Sequence, residues 1–347
     1  MILHILTHDG SPLGVSMRTL MGNDPLQVGV GGSETALLTL CEAWHNRGDT
    51  VVLFNNPRDG WSSPFEQRNI NAFDPNEKRD ALIVFRTPNQ KIERVSGCLK
   101  VWLSCDQFTQ NSYAEFNSQV HKTVCISPCH IDYFKETYHI ENAIYIDLPI
   151  RVQDYKDKQI EKIKNRFVWS SVPERGLGQF FQMWGKIKQQ VPDASLVVTS
   201  DYRLWGCWVE RSDGTFVAKS LSLPDITYLG ALPRPRYVEE QLRAEIMAYT
   251  CVYDELMCLA VAEAQVAGVY TITSNYGALP TTNMHKVIPG DPGNAEVRDL
   301  HVQEAVRFLS LSDDEKHRVS EEGRQKAIDR FHPDNILKQW DERIFNG

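Results

Sequence analysis

Short apolar runs alternate with stretches of helical spacing along this chain, and that alternation restricts its fold more than any other feature. Ile2–Leu6, Thr50–Phe54, Ala81–Phe85, Lys100–Ser104 and Thr123–Ser127 are short, mostly apolar segments. Segments of that length are too short for helices and read as buried strands of a parallel sheet. Between the first two, Ala36, Leu37, Leu40, Ala43 and Trp44 recur at helical spacing, and Gly48 stops the helix. The stretch from Thr7 to Val30 carries Gly10, Gly14, Gly22 and Gly29 with little periodicity, which marks a long functional loop.

Residues 151–165 are charged and polar without an apolar run, and read as a linker. The rhythm then restarts. Arg166–Ser170, Ala194–Thr199, Ile226–Gly230 and Tyr270–Thr273 read as strands, and 177–190, 236–249 and 257–267 as helices. An amphipathic helical tail runs from Asp313 to Phe345, broken at His332-Pro333. The expected fold is α/β, with two Rossmann-like domains over 1–150 and 166–330 facing an inter-domain cleft. Ligands in such sheets sit at the carboxyl ends of the strands. A length of 347 residues suits two domains.

Composition narrows the function. Hydrophobic residues are 42% and charged residues 24%, as in a folded globular chain. The net charge of −8 argues against strong nucleic-acid binding, which needs a basic face. No apolar run approaches a membrane-spanning length, although peripheral membrane contact stays open. Met1–Thr7 is apolar but is interrupted by His8-Asp9-Gly10, so it does not read as a signal peptide. The eight cysteines show no C-x2-C pair and read as buried thiols in a reducing cytoplasm, with no metal site.

Three segments carry chemistry. Tyr253-Asp-Glu255-Leu-Met257-Cys258-Leu259 leads into a helix of small residues that holds Glu263. A carboxylate in such company needs a partner. The free N–H groups at Met257–Leu259 would form an anion site between two acids about 12 Å apart along the helix. The alternative is one capping acid and one exposed acid. The second segment, Trp169-Ser170-Ser171-Val-Pro173-Glu-Arg175-Gly-Leu177, places Arg175 at a strand-to-helix turn, where a guanidinium grips phosphate or is simply solvated. In the third, Gly31-Gly32-Ser33-Glu34 opens a helix as a phosphate loop would, without the dinucleotide fingerprint.

Together these segments resemble the retaining glycosyltransferases of glycosyltransferase family 4, which have the GT-B fold. The resemblance rests on Gly31-Gly32-Ser33-Glu34, Pro173-Glu-Arg175-Gly-Leu177, the seven-residue interval between Glu255 and Glu263, Glu263-Ala-Gln-Val-Ala-Gly268 and Gly277-Ala-Leu279. It implies a final helix within 331–347 that crosses back to the first domain. It implies that Arg175 steadies the diphosphate, Glu255 holds sugar hydroxyls and Glu263 holds the ribose. Gly31, Gly32, Ser170, Met257, Cys258 and Leu259 would then line the donor site. Three positions depart from the family. Ser170 stands where relatives carry a second cation, Ser104-Cys105-Asp106 where many carry a histidine before the aspartate, and Pro280-Thr281-Thr282 where many carry an acid. Asp106 remains a catalytic candidate.

The expected activity is transfer of a sugar from a UDP- or GDP-linked donor to a glycan, lipid-linked sugar or other hydroxyl, with retained configuration and no cofactor. The absence of a D-x-D pair in the sequence points to metal independence. The alternatives are a sugar-nucleotide epimerase or phosphorylase of similar architecture, and a non-catalytic nucleotide-sugar-binding or scaffold protein of the same fold. Further candidates are His8-Asp9 for an acceptor hydroxyl or a loop cap, and Tyr202, Trp205 and Trp208 for base stacking or packing. Arg234 and Arg236, which flank Pro235, read as solvated turn residues.

Overall fold

A computed structural model describes residues 1–23, 28–57, 63–205 and 213–347. The chain packs as two compact units. One is drawn from Met1–Pro25, Gly32–Pro149 and Phe331–Gly347, the other from Leu26–Gly31 and Ile150–Arg330.

The first unit is built on seven parallel strands: β1 (Ile2–Leu6), β2 (Thr50–Phe54), β3 (Glu66–Arg68), β4 (Ala81–Phe85), β5 (Leu99–Leu103), β6 (Lys122–Cys125) and β7 (Ala143–Tyr145). Their order is β3-β2-β1-β4-β5-β6-β7. β4 is buried along its whole length, as a central parallel strand covered on both faces must be. The expected strands Ile2–Leu6, Thr50–Phe54 and Ala81–Phe85 form with the bounds read from the sequence, and β5 and β6 are displaced by one or two residues. The edge strands β3 and β7 were not expected, because three residues such as Glu66-Gln-Arg68 carry no apolar pattern. Helix α1 (Gly32–Arg47) lies in the first crossover. Helix α2 (Pro128–Tyr138) starts sharply because Ser127 accepts a hydrogen bond from the His130 N–H and Pro128 occupies its first turn.

The second unit has six parallel strands: β8 (Arg166–Trp169), β9 (Ser195–Val198), β10 (Ile226–Tyr228), β11 (Ile246–Tyr249), β12 (Tyr270–Ser274) and β13 (Lys286–Ile288). Their order is β10-β9-β8-β11-β12-β13. Its longer helices are α3 (Leu177–Gln190), α4 (Asp213–Ser222), α5 (Arg234–Arg243), α6 (Leu259–Val266), α7 (Ala295–Leu309) and α8 (Asp313–Phe331). The single helix expected over 236–249 is corrected to α5 followed by β11. An apolar run as short as Ile246–Tyr249 fits either state by periodicity alone, and pairing with β8 and β12 decides it.

Residues 151–165 do not behave as a solvated tether. Tyr155 is buried and donates to Gln241 Oε1 at 2.6 Å. The Lys162 ammonium donates to the carbonyls of Ala244 and Leu242, at 2.6 and 3.5 Å, where α5 ends. The described cysteines are all free thiols, and Cys41, Cys125, Cys251 and Cys258 are buried. Among the described residues no helix is long and apolar enough to cross a membrane.

The last helix, α9 (Pro333–Trp340), belongs to the first unit. Trp340 packs edge-on against Trp44 of α1 at 5.2 Å, and Arg47 pairs with Asp341 at 2.8 Å. Both indoles are buried. Truncating a core tryptophan costs about 3–5 kcal/mol. Trp340→Ala should therefore lower stability by about that amount in urea titration, whereas Lys338→Ala, on the exposed face, should change it by less than about 0.5 kcal/mol.

Candidate active site

In each sheet the strand order reverses at one point: between β1 and β4, and between β8 and β11. Open α/β sheets bind ligands at the carboxyl ends of the strands flanking that point. In the second unit these ends are the turn after β8, which carries Arg175, and the loop after β11, which carries Glu255. Arg175 and Glu255 thus lie in the connections that follow the two strands flanking that point.

The two connections are fitted backbone to backbone. Gly176 has φ +131, and a Cβ there would lie 1.9 Å from the Thr250 carbonyl oxygen. Only glycine allows this approach. Thr250 Oγ1 then donates to the Gly176 carbonyl at 3.0 Å, and the Val252 N–H to the Arg175 carbonyl at 3.2 Å. The Arg175 guanidinium lies 3.2 Å from the Tyr253 ring centroid, a cation–π stack that orients its plane. Burial alone would lower the Arg175 pKa, but the charge of Glu255, with smaller contributions from Tyr253, Tyr249 and Cys251, raises it and the guanidinium stays ionised.

Glu255 is held from two sides. Its Oε1 accepts from the Tyr249 hydroxyl at 2.7 Å. Gly277, at φ +53, lies so close that a Cβ would sit 2.2 Å from the Glu255 carbonyl oxygen, and the Ala278 N–H donates to that oxygen at 2.6 Å. Burial pushes the Glu255 carboxyl above its ordinary pKa, while the Arg175 charge and the Tyr249 hydrogen bond pull the other way. Beyond it, Met257 and Cys258 are buried, and Cys258 caps α6 without a side-chain hydrogen bond. Leu259 is the first residue of α6, so the first-turn N–H groups have no side-chain cap.

Glu263 lies one turn further along α6 and is 7% exposed, so the alternative of a solvated acid is excluded. Its Oε1 pairs with Arg234, and its Oε2 accepts from the Tyr237 hydroxyl at 2.8 Å. Arg234 Nε also donates to Asp154 at 2.7 Å, and Asp154 lies 3.3 Å from Arg151 Nε. Arg234 therefore corrects the expectation of a solvated turn: it is a buried cation between two carboxylates. Arg236 is exposed and pairs with Glu239, as a solvated residue does. Ser170, at the end of β8, is buried and bonded to Thr199 Oγ1 at 3.1 Å.

The first unit carries a separate charged cluster at its strand ends. Asp106 follows β5 and accepts from Arg86 Nε at 2.7 Å, while Arg86 Nη1 reaches Glu34 of α1 at 2.6 Å. Gly32 opens α1 directly after Gly31. Arg86 escaped the sequence reading. It holds φ +62, unusual for a side chain of its size, because its N–H bonds to Leu103 and its carbonyl accepts from the Trp102 indole. His8 accepts from the Gly10 N–H at 2.9 Å, a loop cap, and Asp9 pairs with Lys91. Tyr202 is buried, whereas Trp208 and the Trp205 side chain lie outside the described residues.

No protein-family model matches this chain. A curated relative, "Uncharacterized glycosyltransferase YqgM" of Bacillus subtilis (strain 168), is 30% identical over 213 residues. That match covers 58% of this chain and 56% of the relative, so it spans little more than half of each. Among solved structures, sucrose-phosphate synthase from Thermosynechococcus elongatus superposes with TM-score 0.69 and 14% identity over 100% of both chains. Anabaena HepE in complex with UDP and glucose gives 0.70 and 13%, again over 100% of both. The catalytic domain of Arabidopsis thaliana starch synthase IV, bound to ADP and acarbose, gives 0.73 and 9%, over 99% of this chain and 98% of that one. The fold is the GT-B arrangement of two Rossmann-like parallel-sheet domains.

Removing one member of a buried ion pair leaves the other charge uncompensated and costs about 3–5 kcal/mol. Arg234→Ala should show that loss in urea titration, whereas Arg236→Ala should stay within about 0.5 kcal/mol of the parent protein.

Proposed function

We propose that this protein is a retaining, metal-independent glycosyltransferase of the family 4 type. It moves a sugar from a UDP- or GDP-linked donor to an acceptor hydroxyl. The observation that carries this reading is the convergence of Arg175, Glu255 and the first turn of α6 at the β8/β11 switch point. The curated glycosyltransferase relative supports it, as do neighbours whose names include UDP, ADP and sugar ligands.

Breaking the bond between sugar and diphosphate leaves an oxocarbenium-like sugar and a leaving group that gains negative charge. Preorganised donors aimed at that charge supply the largest stabilisation. The Arg175 fork and the N–H groups at the start of α6 are such donors, and the sequence holds no D-x-D pair to bring a metal. Glu255 would accept from the sugar hydroxyls. Glu263 would accept from the ribose through the lone pairs its two protein partners leave open, since an ionised carboxylate offers about four sites. The acceptor would attack from the leaving-group side, with a departing phosphate oxygen taking its proton. Asp106, oriented by Arg86, is the catalytic candidate of the first unit. Gly31-Gly32 would lie against the donor. Glycan, lipid-linked sugar or another hydroxyl would serve as acceptor, in the cytoplasm and without strong nucleic-acid binding.

Calorimetric titration with UDP- and GDP-sugars, with and without EDTA, tests the reading. One donor should bind, and chelation should leave its affinity unchanged. Glu263→Gln should weaken binding of the bare nucleotide. Glu255→Gln should spare that binding and lower transfer. Arg175→Ala should cost about 10²–10³ in rate. Binding without any donor turnover would favour a non-catalytic binding protein, and affinity that collapses on chelation would overturn metal independence.

A further inference from the structure

Tyr249, the last residue of β11, is fully buried, yet its hydroxyl meets two polar groups. Its oxygen lies 2.7 Å from Glu255 Oε1 and 3.0 Å from Ser171 Oγ. A phenol has a single proton to give. The carboxylate, closer and charged, takes it, because charge-assisted hydrogen bonds are the shorter and stronger kind. Ser171 must then donate its own hydroxyl proton to the phenolic oxygen. The result is a one-way chain from Ser171 through Tyr249 to Glu255 Oε1, joining the turn that carries Arg175 to the loop that carries Glu255. Among the described residues, Glu255 Oε2 accepts no hydrogen bond from the protein.

We infer that Tyr249, backed by Ser171, is a positioning residue that fixes Glu255 Oε1 and turns Oε2 toward a hydroxyl of the transferred sugar. This rests on the proposed role of Glu255 as the sugar-binding acid. The phenol is suited to the task. Burial, with the Glu255 charge beside it, holds its pKa well above the ordinary tyrosine value, so it stays a neutral donor. The Tyr249 ring packs against Trp169 at 5.1 Å, which phenylalanine would preserve.

The sign of the pH effect follows from the surroundings of Glu255. The groups that bear on it are Arg175 from the turn after β8, Tyr249 and Cys251 from β11 and its loop, and Cys258 at the start of α6; Tyr253 and Asp254 precede it in the chain, and Tyr276 from the turn after β12 interacts with Asp254 and Cys251. Arg175 is the one cation in that set. Burial already pushes the Glu255 carboxyl up, and the Tyr249 hydrogen bond opposes this. Without the hydroxyl, the Glu255 pKa rises. Transfer needs the ionised acid, so the variant loses activity at a higher pH as the solution is acidified.

The test compares Tyr249→Phe, Ser171→Ala and the double variant in transfer, or in donor hydrolysis where no acceptor is known. Tyr249→Phe should lower kcat about 10–100-fold, the range of one hydrogen bond to a charged group. It should leave KM for the donor close to that of the parent protein and move the acidic limb of the pH profile upward. Ser171→Ala should act in the same direction and more weakly. The double variant should be no worse than Tyr249→Phe, because Ser171 acts through Tyr249. A second readout needs no turnover: infrared titration of protein labelled with ¹³C-carboxyl glutamate, with Glu255→Gln as the subtraction. Its Glu255 band should protonate at higher pH in Tyr249→Phe. An unmoved band, an unmoved acidic limb, or two single-variant losses that multiply would overturn the inference. A parent protein that turns over no nucleotide sugar sinks the proposed function alone, and the infrared shift then decides the positioning claim.

Discussion

At Gly176 the backbone of the second unit comes so close to the end of β11 that no side chain fits between them. The candidate site depends on that approach. It locks the turn after β8 to the loop after β11, with Thr250 bonding to the Gly176 carbonyl and Val252 to the Arg175 carbonyl. Arg175 and Glu255 then sit on one rigid piece of backbone, although eighty residues of chain separate them. Gly277 repeats the device from the other side, pressing its turn on the Glu255 carbonyl. Chemistry that depends on placing charge to a fraction of an ångström needs such rigidity.

Two styles of electrostatics meet in this unit. Around Arg234 the charges are closed: Arg151, Asp154, Arg234 and Glu263 alternate in sign and are all nearly excluded from water. Burying such a chain costs desolvation that the pairing only offsets, so its contribution is geometry more than stability. It ties the segment just after residue 150 to the helix that holds Glu263. Around Glu255 the arrangement is open. Arg175 is oriented by an aromatic face, and the carboxylate is fixed through one oxygen. The closed network links α5 and the segment after residue 150 to α6, and the cluster around Glu255 anchors its carboxylate through Oε1.

Much of this was legible in the residues. Apart from β11, which reads as part of a helix, the central strands of both sheets are short apolar runs that the sequence places to within one or two residues. The edge strands β3, β7 and β13 escaped because each has three residues and is polar or half-exposed. Helix α7 escaped as well. Arg175, Glu255 and Glu263 stand out through Pro173, Gly176 and the small-residue helix around Glu263. Arg86 and Tyr249 do not, since an arginine or tyrosine closing an apolar run has no local signature. The one available hint was that Arg86 follows a predicted β-run, where ligands in such sheets are met, whereas Tyr249 falls within a stretch that reads as helix.

By itself, then, the sequence determined most of the strands, the alternation with helices that implies parallel pairing through crossovers, and the residue types at the two switch points. Those properties are local: they follow from apolar periodicity, turn residues and the handedness of the βαβ crossover. Tertiary structure alone decided which charges became partners. Arg234 reads as a solvated turn residue, and only folding α5 against α6 gives it Glu263 and removes water from both. Tyr249 reads as the end of a helix, and only the approach of the β8 turn gives its hydroxyl Ser171 on one side and Glu255 on the other. A hydrogen bond or an ion pair between residues far apart in the chain depends on distance and desolvation in three dimensions, and no spacing along the chain encodes either.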